Sequence, residues 1–341
     1  MNTICKFLFI LIIIGLTNRH SFAQTDDSKA LVRQGVELND AGKYNEAIEK
    51  YTEALKADPN NQEADYEMGY TLYSAGKGKD AIPYLESILK SNGSKYEADD
   101  LLGSIYDDAN EPEKAIECYK NGIKENRGFE HLHFNLGISY LRKNDYADAE
   151  ACEMDAIKLD QRHVSNQRIY ALAEYDQGKR ICALLAWCSF LIIEPNTQRS
   201  VDVFNDVRKI INYGFSKQAG KPLNINISEA DIKNGTNLSL PLVVVESTEG
   251  KKDLSAVDSL TLQLTAIFKA VPEFGESKKD EFFSNYYAKF FDQLAESGNM
   301  PAFVRLISLS VYKDDDVAWL KENQQQLNAL DLWLRSAPRN F

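Results

Sequence analysis

Histidine is scarce in this chain, with 4 in 341 residues. Beyond the first segment only His131, His133 and His163 remain, and none has a nucleophile or second ligand at a catalytic or metal spacing. His131 and His133 stand two apart, so on a helix they face different directions. GxSxG, HExxH, CxxC and His-x3-His are all missing, which removes the common hydrolase and zinc signatures. AGKGKD, residues 75–80, has the glycines and lysines of a phosphate loop. Gly69 and Gly76 are nevertheless too far apart, and no Ser or Thr follows. The expectation is a chain with no catalytic, metal or cofactor site.

Basic charge is also short. Lys and Arg number 39 against 51 Asp and Glu, for a net charge of −12. Nucleic-acid binding needs clustered cations to neutralise phosphates, so that class of partner is not expected. Long apolar runs are confined to the start. MNTICK carries Lys6, FLFILIIIGL is unbroken and apolar, and Ser21-Phe22-Ala23 places small residues two apart before Gln24. That order predicts a secretory signal peptide over residues 1–23. Its apolar run is about half the ~20 residues a membrane span requires, and an uncleaved anchor is the alternative. No later segment could cross a bilayer, so the expectation is an exported chain, periplasmic or secreted and soluble, with no stable membrane insertion after cleavage. Cys118, Cys152, Cys182 and Cys188 remain in the mature chain. Their spacing is not that of a small stapled scaffold, and free thiols are expected.

What the chain has in quantity is a repeat. GKYNEAIEKYTEALKADPN aligns with GKGKDAIPYLESILKSNG, NEPEKAIECYKNGIKENRG, KNDYADAEACEMDAIKLDQ and GKRICALLAWCSFLIIEPN. Ala47, Ala81, Ala115, Ala149 and Ala183 recur every 34 residues, as do Gly35, Gly69, Gly103, Gly137 and Ala171 upstream. A third column reads Ala54, Ile88, Gly122, Ala156 and Phe190, and a bulky one Tyr51, Leu85, Tyr119, Glu153 and Trp187. The units are 28–61, 62–95, 96–129, 130–163 and 164–197, without insertion or deletion. Each predicts two helices joined by a tight turn (AGK, SAGK, DANEP, RKND, DQGK). The small residues let the two helices approach, and the bulky ones fill the space between one unit and the next. One hairpin cannot bury its apolar face alone, so neighbours must stack. Pro59 and Pro195 close the first and last units.

These columns, with Pro at the unit end, resemble the tetratricopeptide repeat (TPR) over residues 28–197. The pattern departs at Glu153, at Phe190, and at Gly93, Arg127 and Gln161, where Pro is usual. The resemblance implies an all-α fold, a right-handed superhelical solenoid that binds peptide segments or other proteins along its concave face and is rarely catalytic. It also implies that the first helix of each unit lines the groove. That helix projects Val32, Val36 and Asn39, then Tyr66, Tyr70 and Tyr73, then Asp100, Ser104, Asp107 and Asp108. Phe134, Ile138, Leu141 and Arg142 follow in the fourth unit, and Arg168, Leu172 and Tyr175 in the fifth. The candidate groove is Tyr66, Tyr70, Tyr73, Asp100, Asp107, Phe134, Ile138, Arg168 and Tyr175. The tyrosines offer flat apolar area with hydroxyls, and the aspartates favour Lys or Arg on a bound segment. Packing against the next unit is the alternative role for the tyrosines. Some TPR arrays clamp a C-terminal carboxylate with Lys, Asn and Arg. Val32, Val36, Glu67, Glu97 and Leu101 occupy those places here, and none is a suitable donor.

After Thr197 the register is lost. SVDVFNDVRKIINYGF predicts a capping helix over 198–219. Residues 220–250 predict a small β-hairpin: Ile225 and Ile227 alternate with asparagines, Asn234-Gly235 is a turn dipeptide, and Val243 to Val245 are β-branched, with Pro241 at an edge. Residues 251–341 read as a mostly helical region. In it Phe282, Phe283, Tyr286, Tyr287, Phe290, Phe291 and Leu294 make one wide core stripe, and Asp314, Asp315 and Asp316 suit a helix N-terminus. The sequence supports a non-enzymatic exported scaffold that binds a protein or peptide partner, in envelope or secretion-related assembly. Two alternatives stand beside it: a C-terminal region carrying its own activity or docking surface, and self-assembly through an exposed repeat end.

Overall fold

The structure, a computed structural model, describes residues 26–91, 93, 95–216, 224–225, 239–273, 280–337 and 339. The leader predicted over 1–23 lies outside them. Ten helices come first: α1 (26–40), α2 (Tyr44–Ala57), α3 (Gln62–Ser74), α4 (Gly78–Leu89), α5 (Tyr96–Asp108), α6 (Pro112–Glu125), α7 (Glu130–Arg142), α8 (Tyr146–Leu159), α9 (Val164–Asp176) and α10 (Arg180–Ile193). α3 packs on α4, α5 on α6 and α9 on α10 as the repeat predicts, and one turn geometry recurs. Gly42, Gly76, Asn110, Asn144 and Gly178 all have positive φ, between 60° and 79°. Each is followed by a residue whose N–H reaches back to a carbonyl five residues earlier: Lys43 to Leu38, Lys77 to Leu72, Glu111 to Tyr106, Asp145 to Tyr140 and Lys179 to Glu174. That is the glycine-type helix stop, in which a left-handed residue ties off orphan carbonyls, and asparagine is the tolerated substitute.

The molecule divides into two compact units, one ending at Ser139 and the other starting at Tyr140. In the first, the small column and the bulky column meet inside each pair. A Cβ on Gly35 would lie 2.3 Å from the Tyr51 ring, one on Gly69 2.9 Å from Leu85, and one on Gly103 2.3 Å from the Tyr119 ring. The bulky residues were expected to fill the space between units; here Tyr51, Leu85 and Tyr119 sit against the glycine of their own hairpin. Without a Cβ at that place a ring can lie flat on the opposing backbone. Around these contacts Val32, Ala47, Ala64, Met68, Ala81, Ala98 and Leu102 form the core.

The second unit is built around α10, in which every residue from Ile181 to Leu191 is buried. A helix apolar on all sides must be covered on all sides. Besides α9, the covering elements are α11 (Gln198–Ile211), α15 (Met300–Ile307) and a π-helical segment (Phe283–Ala288). The remaining elements are β1 (Phe215–Ser216), β2 (Asn224–Ile225), α12 (Ser239–Thr248), α13 (Ala256–Ala270), a 3-10 turn (Val271–Glu273), α14 (Lys289–Glu296), α16 (Lys313–Glu322) and α17 (Gln324–Ser336). The aromatic stripe from Phe282 to Leu294 is buried core, as predicted. Its side chains recur every four residues, longer than the 3.6 of an α-helix. The wider π turn takes up the difference and keeps the stripe on one face.

The predicted hairpin is corrected. β1 and β2 make only a two-residue antiparallel contact, Phe215 opposite Ile225, and Asn234-Gly235 lies outside the described residues. Val243 to Val245 are helical, inside α12. Leu240 and Val244, four apart, are both buried, and α12 packs on α13 and α11. Burial of that face outweighs the β-propensity of three valines, and Pro241 in the first turn has no intrahelical N–H bond to lose.

Candidate functional site

The candidate groove is built from the first helix of each pair, and in the first unit its residues come together. Hydrogen bonds cross from one such helix to the next at near-repeat spacing. Thr71 Oγ1 donates to Asn39 Oδ1 at 2.9 Å, and Tyr73 Oη to Asp108 Oδ2 at 2.8 Å. Asn135 Nδ2 donates to Asp100 Oδ1 at 2.8 Å, and Ser139 Oγ to Asp107 Oδ2 at 2.7 Å. The Tyr119 hydroxyl reaches the same Asp107 oxygen at 3.4 Å. Asp100 and Asp107 therefore fasten neighbouring helices to one another as well as lining a surface.

The tyrosines differ in how far they are committed to packing. Tyr66 and Tyr73 are half-buried against the core, whereas Tyr70 is 43% exposed. Phe134 and Ile138 are half-buried. Val32, projected onto the groove, is fully buried core instead, one turn from Gly35, whose place lies against the Tyr51 ring. Tyr73 and Asp108 also edge a depression of about 490 Å³ that Gly76, Gly78 and Ile105 help to line.

Charge is the feature that spacing alone underplays. Burial pushes the Tyr66 phenol up to about 12, and Glu97, Asp100, Glu67 and Tyr70 add to the effect. Glu67 is raised by burial and then by Glu63, Asp40 and Glu97. Every charged neighbour acting on these two groups is acidic, and the acids come from α1, α3 and α5. Asp100 is raised by burial, against the opposing influence of its Asn135 hydrogen bond and of His131. Glu67 and Glu97 occupy places at which a carboxylate clamp would need hydrogen-bond donors. The signal in the sequence was the place of Glu67, one residue after Tyr66 and three before Tyr70 on the same helix.

Arg168 and Tyr175 belong to the second unit. Tyr175 is 37% exposed, its ring 5.5 Å from that of Trp187. Glu194 is held below the usual range chiefly by its hydrogen bond from Arg199, and Arg168 adds to this. Two buried polar clusters in this unit escape a spacing argument altogether. Gln167 accepts from Tyr287 Oη at 2.6 Å and lies 3.2 Å from Tyr286 Oη, tying α9 to the π segment. Lys179 Nζ lies 2.5 Å from Glu150 and 3.3 Å from Glu174, which is 1% exposed.

None of Cys118, Cys152, Cys182 and Cys188 is in a disulfide among the described residues. Among the described residues no group of histidines, cysteines and carboxylates has the geometry of a metal site, and no helix is long and apolar enough to cross a membrane.

The tetratricopeptide repeat family matches residues 38–105 in one of its forms and 101–162 in another. The chain thus carries tetratricopeptide repeats, and its fold is all-α, a solenoid of such helix pairs followed by further helices. Among solved structures it is similar to MamA, at 26% identity over 47% of this chain and 94% of that one, with a TM-score of 0.44. It is also similar to YrrB, described as a TPR protein with an unusual peptide-binding site, at 16% identity over 51% and 90%, TM-score 0.45. Pseudomonas aeruginosa pilF aligns at 17% identity over 56% and 90%, TM-score 0.49. No curated protein matches the chain.

Proposed function

We propose that this protein is an exported, non-catalytic adaptor whose first repeat helices hold a polypeptide segment of a partner, in assembly at the cell envelope. We read five tetratricopeptide units over 28–197, preceded by a cleaved leader over 1–23. The carrying observation is Tyr70, 43% exposed on the same helix face as half-buried Tyr66. A large aromatic left open beside aromatics already fixed by packing is a typical anchor for a bound chain: rigid, apolar, and ended by a hydroxyl that can meet a backbone. The partner segment carries apolar and basic residues.

Selection of a displayed random-peptide library on the mature protein tests this reading. Selected peptides should bind wild type and lose about tenfold or more in affinity for a Tyr66→Ala, Tyr70→Ala variant of unchanged helical content. Equal binding by that variant would remove the groove from the tyrosine face. Fusion of residues 1–23 to a reporter active only outside the cytoplasm tests export. A reporter that stays inactive in a bacterial host argues against a leader.

A further inference from the structure

Arg339 is a cation held against the core of the second unit without an anion. Its guanidinium carbon lies 3.9 Å from the centroid of the Phe290 ring, 5.2 Å from that of Tyr286 and 5.8 Å from that of Phe291. Nη1 donates to Ser189 Oγ at 3.0 Å, and Ser189 is fully buried in the middle of α10. Among the described residues no carboxylate pairs with Arg339. Other arginines of this unit do find one: Arg199 pairs with Glu194, Arg305 with Asp258 and Asp316, and Arg335 with Asp331. Ring faces and one hydroxyl therefore stand in for water that the half-buried guanidinium gives up.

The slot is built from parts that do not depend on its occupant. The Tyr286 hydroxyl lies 3.2 Å from Gln167 Nε2, which ties one wall to α9. Phe291 packs on Phe268 and Phe303, at 4.7 and 6.2 Å between centroids, and Phe290 on Trp333 at 5.1 Å. Ser189 Oγ donates its own proton to Leu185 O at 2.9 Å, which leaves its lone pairs for an incoming N–H. Arg339 itself lies outside any helix, past the end of α17. Its contacts are those that any arginine side chain reaching this place would make.

We propose that the slot over Ser189 is a binding site for an arginine side chain of a partner polypeptide, which the protein's own Arg339 occupies until the partner displaces it. The site belongs to the second unit and is independent of the tyrosine groove. A planar, weakly hydrated guanidinium suits stacked rings better than a strongly hydrated ammonium, so arginine is preferred to lysine. The negative ring faces repel an anion. A tethered competitor acts at an effective concentration on the order of millimolar. A partner therefore opens the slot only when contacts beyond its arginine add affinity.

Ligand-observed NMR titration of the full mature chain tests this, with a synthetic peptide of residues 336–341 (SAPRNF) as the probe. A second peptide carries lysine in place of the arginine. The arginine peptide should bind Arg339→Ala about tenfold more tightly than wild type, because the resident competitor is gone. The lysine peptide should bind that variant about tenfold less tightly than the arginine peptide. Adding Ser189→Ala should weaken the arginine peptide about fivefold. Equal affinity for wild type and Arg339→Ala would mean that the segment after α17 does not cover the site. Equal affinity of the two peptides would mean that the slot does not select a guanidinium, and indifference to Ser189→Ala would place the peptide elsewhere. Each of these overturns the proposal. So does absence of binding to an Arg339→Ala chain of unchanged helical content, which would leave Arg339 as a fastener alone. Should Arg339→Ala lose helical content, Arg339→Lys, which keeps the stem and the charge, takes its place and the same comparisons decide. Loss of the fold in both variants would make Arg339 a structural fastener and overturn the proposal as well.

Discussion

Glu174 shows how a single buried carboxyl can be placed against its own charge. It is 1% exposed, within 3.3 Å of Lys179, and its neighbour Glu150 takes the closer share of that lysine at 2.5 Å together with a Gln177 hydrogen bond at 2.7 Å. Burial and then the Glu150 charge push Glu174 well above the usual carboxylate range. Burial pushes Glu150 the same way, but hydrogen bonds from Glu174, Lys179 and Gln177 outweigh it and hold Glu150 low. The proton of the pair therefore sits on Glu174. A carboxyl whose pKa is raised on folding contributes most below its unfolded value of about 4.3, and that contribution is lost as pH rises toward the folded value. Glu150 works in the opposite sense, losing its contribution as pH falls below the unfolded value. Glu174→Gln, which copies the neutral acid, should raise stability by about 1–2 kcal/mol at neutral and alkaline pH. The gap should close as pH falls toward 4. Thermal melts across pH check this, and a variant less stable at every pH would show that Glu174 is ionised. Gly103 makes a second prediction at this scale. A Cβ there would lie 2.3 Å from the Tyr119 ring, itself buried. Gly103→Ala gains about 1 kcal/mol of helix propensity and loses about 1–3 kcal/mol to overpacking. A lower urea midpoint is the expected result, and a higher one would mean the helices can part at little cost.

Among the elements, α10 carries the most information about the C-terminal region. ICALLAWCSFLII contains no charge, and a second helix of a free-standing hairpin would keep a polar outer stripe, as α6 does with Glu113, Glu117 and Lys120 exposed. An all-round apolar helix states that something covers its outer face. The sequence thus encodes the docking of α15 and the π segment onto the last repeat, although it does not say which residues dock. Much else was legible for the same physical reason. A 34-residue register leaves small and turn positions no freedom, so Gly35 and the turns could be placed from spacing alone, whereas Tyr51, expected between units, packs on Gly35 of its own hairpin. Tyr66, Tyr70 and Tyr73 follow from that register too. What resists spacing is contact between distant elements. Gln167 meets Tyr286 and Tyr287 across 119 and 120 residues, and no period links them. Local propensity also fails where tertiary burial decides, as Val243 to Val245 show by turning helical in α12.

At the scale of the whole molecule, the boundary of the repeats and the boundary of folding do not coincide. The 34-residue register ends at Thr197, but the second compact unit begins at Tyr140 and includes the last hairpin together with everything after it. Cutting after Thr197 therefore divides a core rather than a linker. Leu184, Leu185, Cys188 and Leu191 on α10 are all fully buried in the intact unit. Removing the C-terminal cover re-exposes part of that surface, and each large apolar side chain returned to water costs about 1.5–3 kcal/mol. Against a total stability of order 5–15 kcal/mol for a domain, the loss is decisive for this unit. A chain ending at Thr197 should aggregate or bind hydrophobic dye, while residues up to Ser139 keep their helical signal and their tyrosine face. Circular dichroism with dye binding on that truncation checks the expectation, and a monomeric, dye-negative fragment would show that α10 can be stable uncovered. Truncation is accordingly a poor way to separate the groove from the C-terminal region. Point variants in one unit, read against the folded state of the other, make that separation without opening a core.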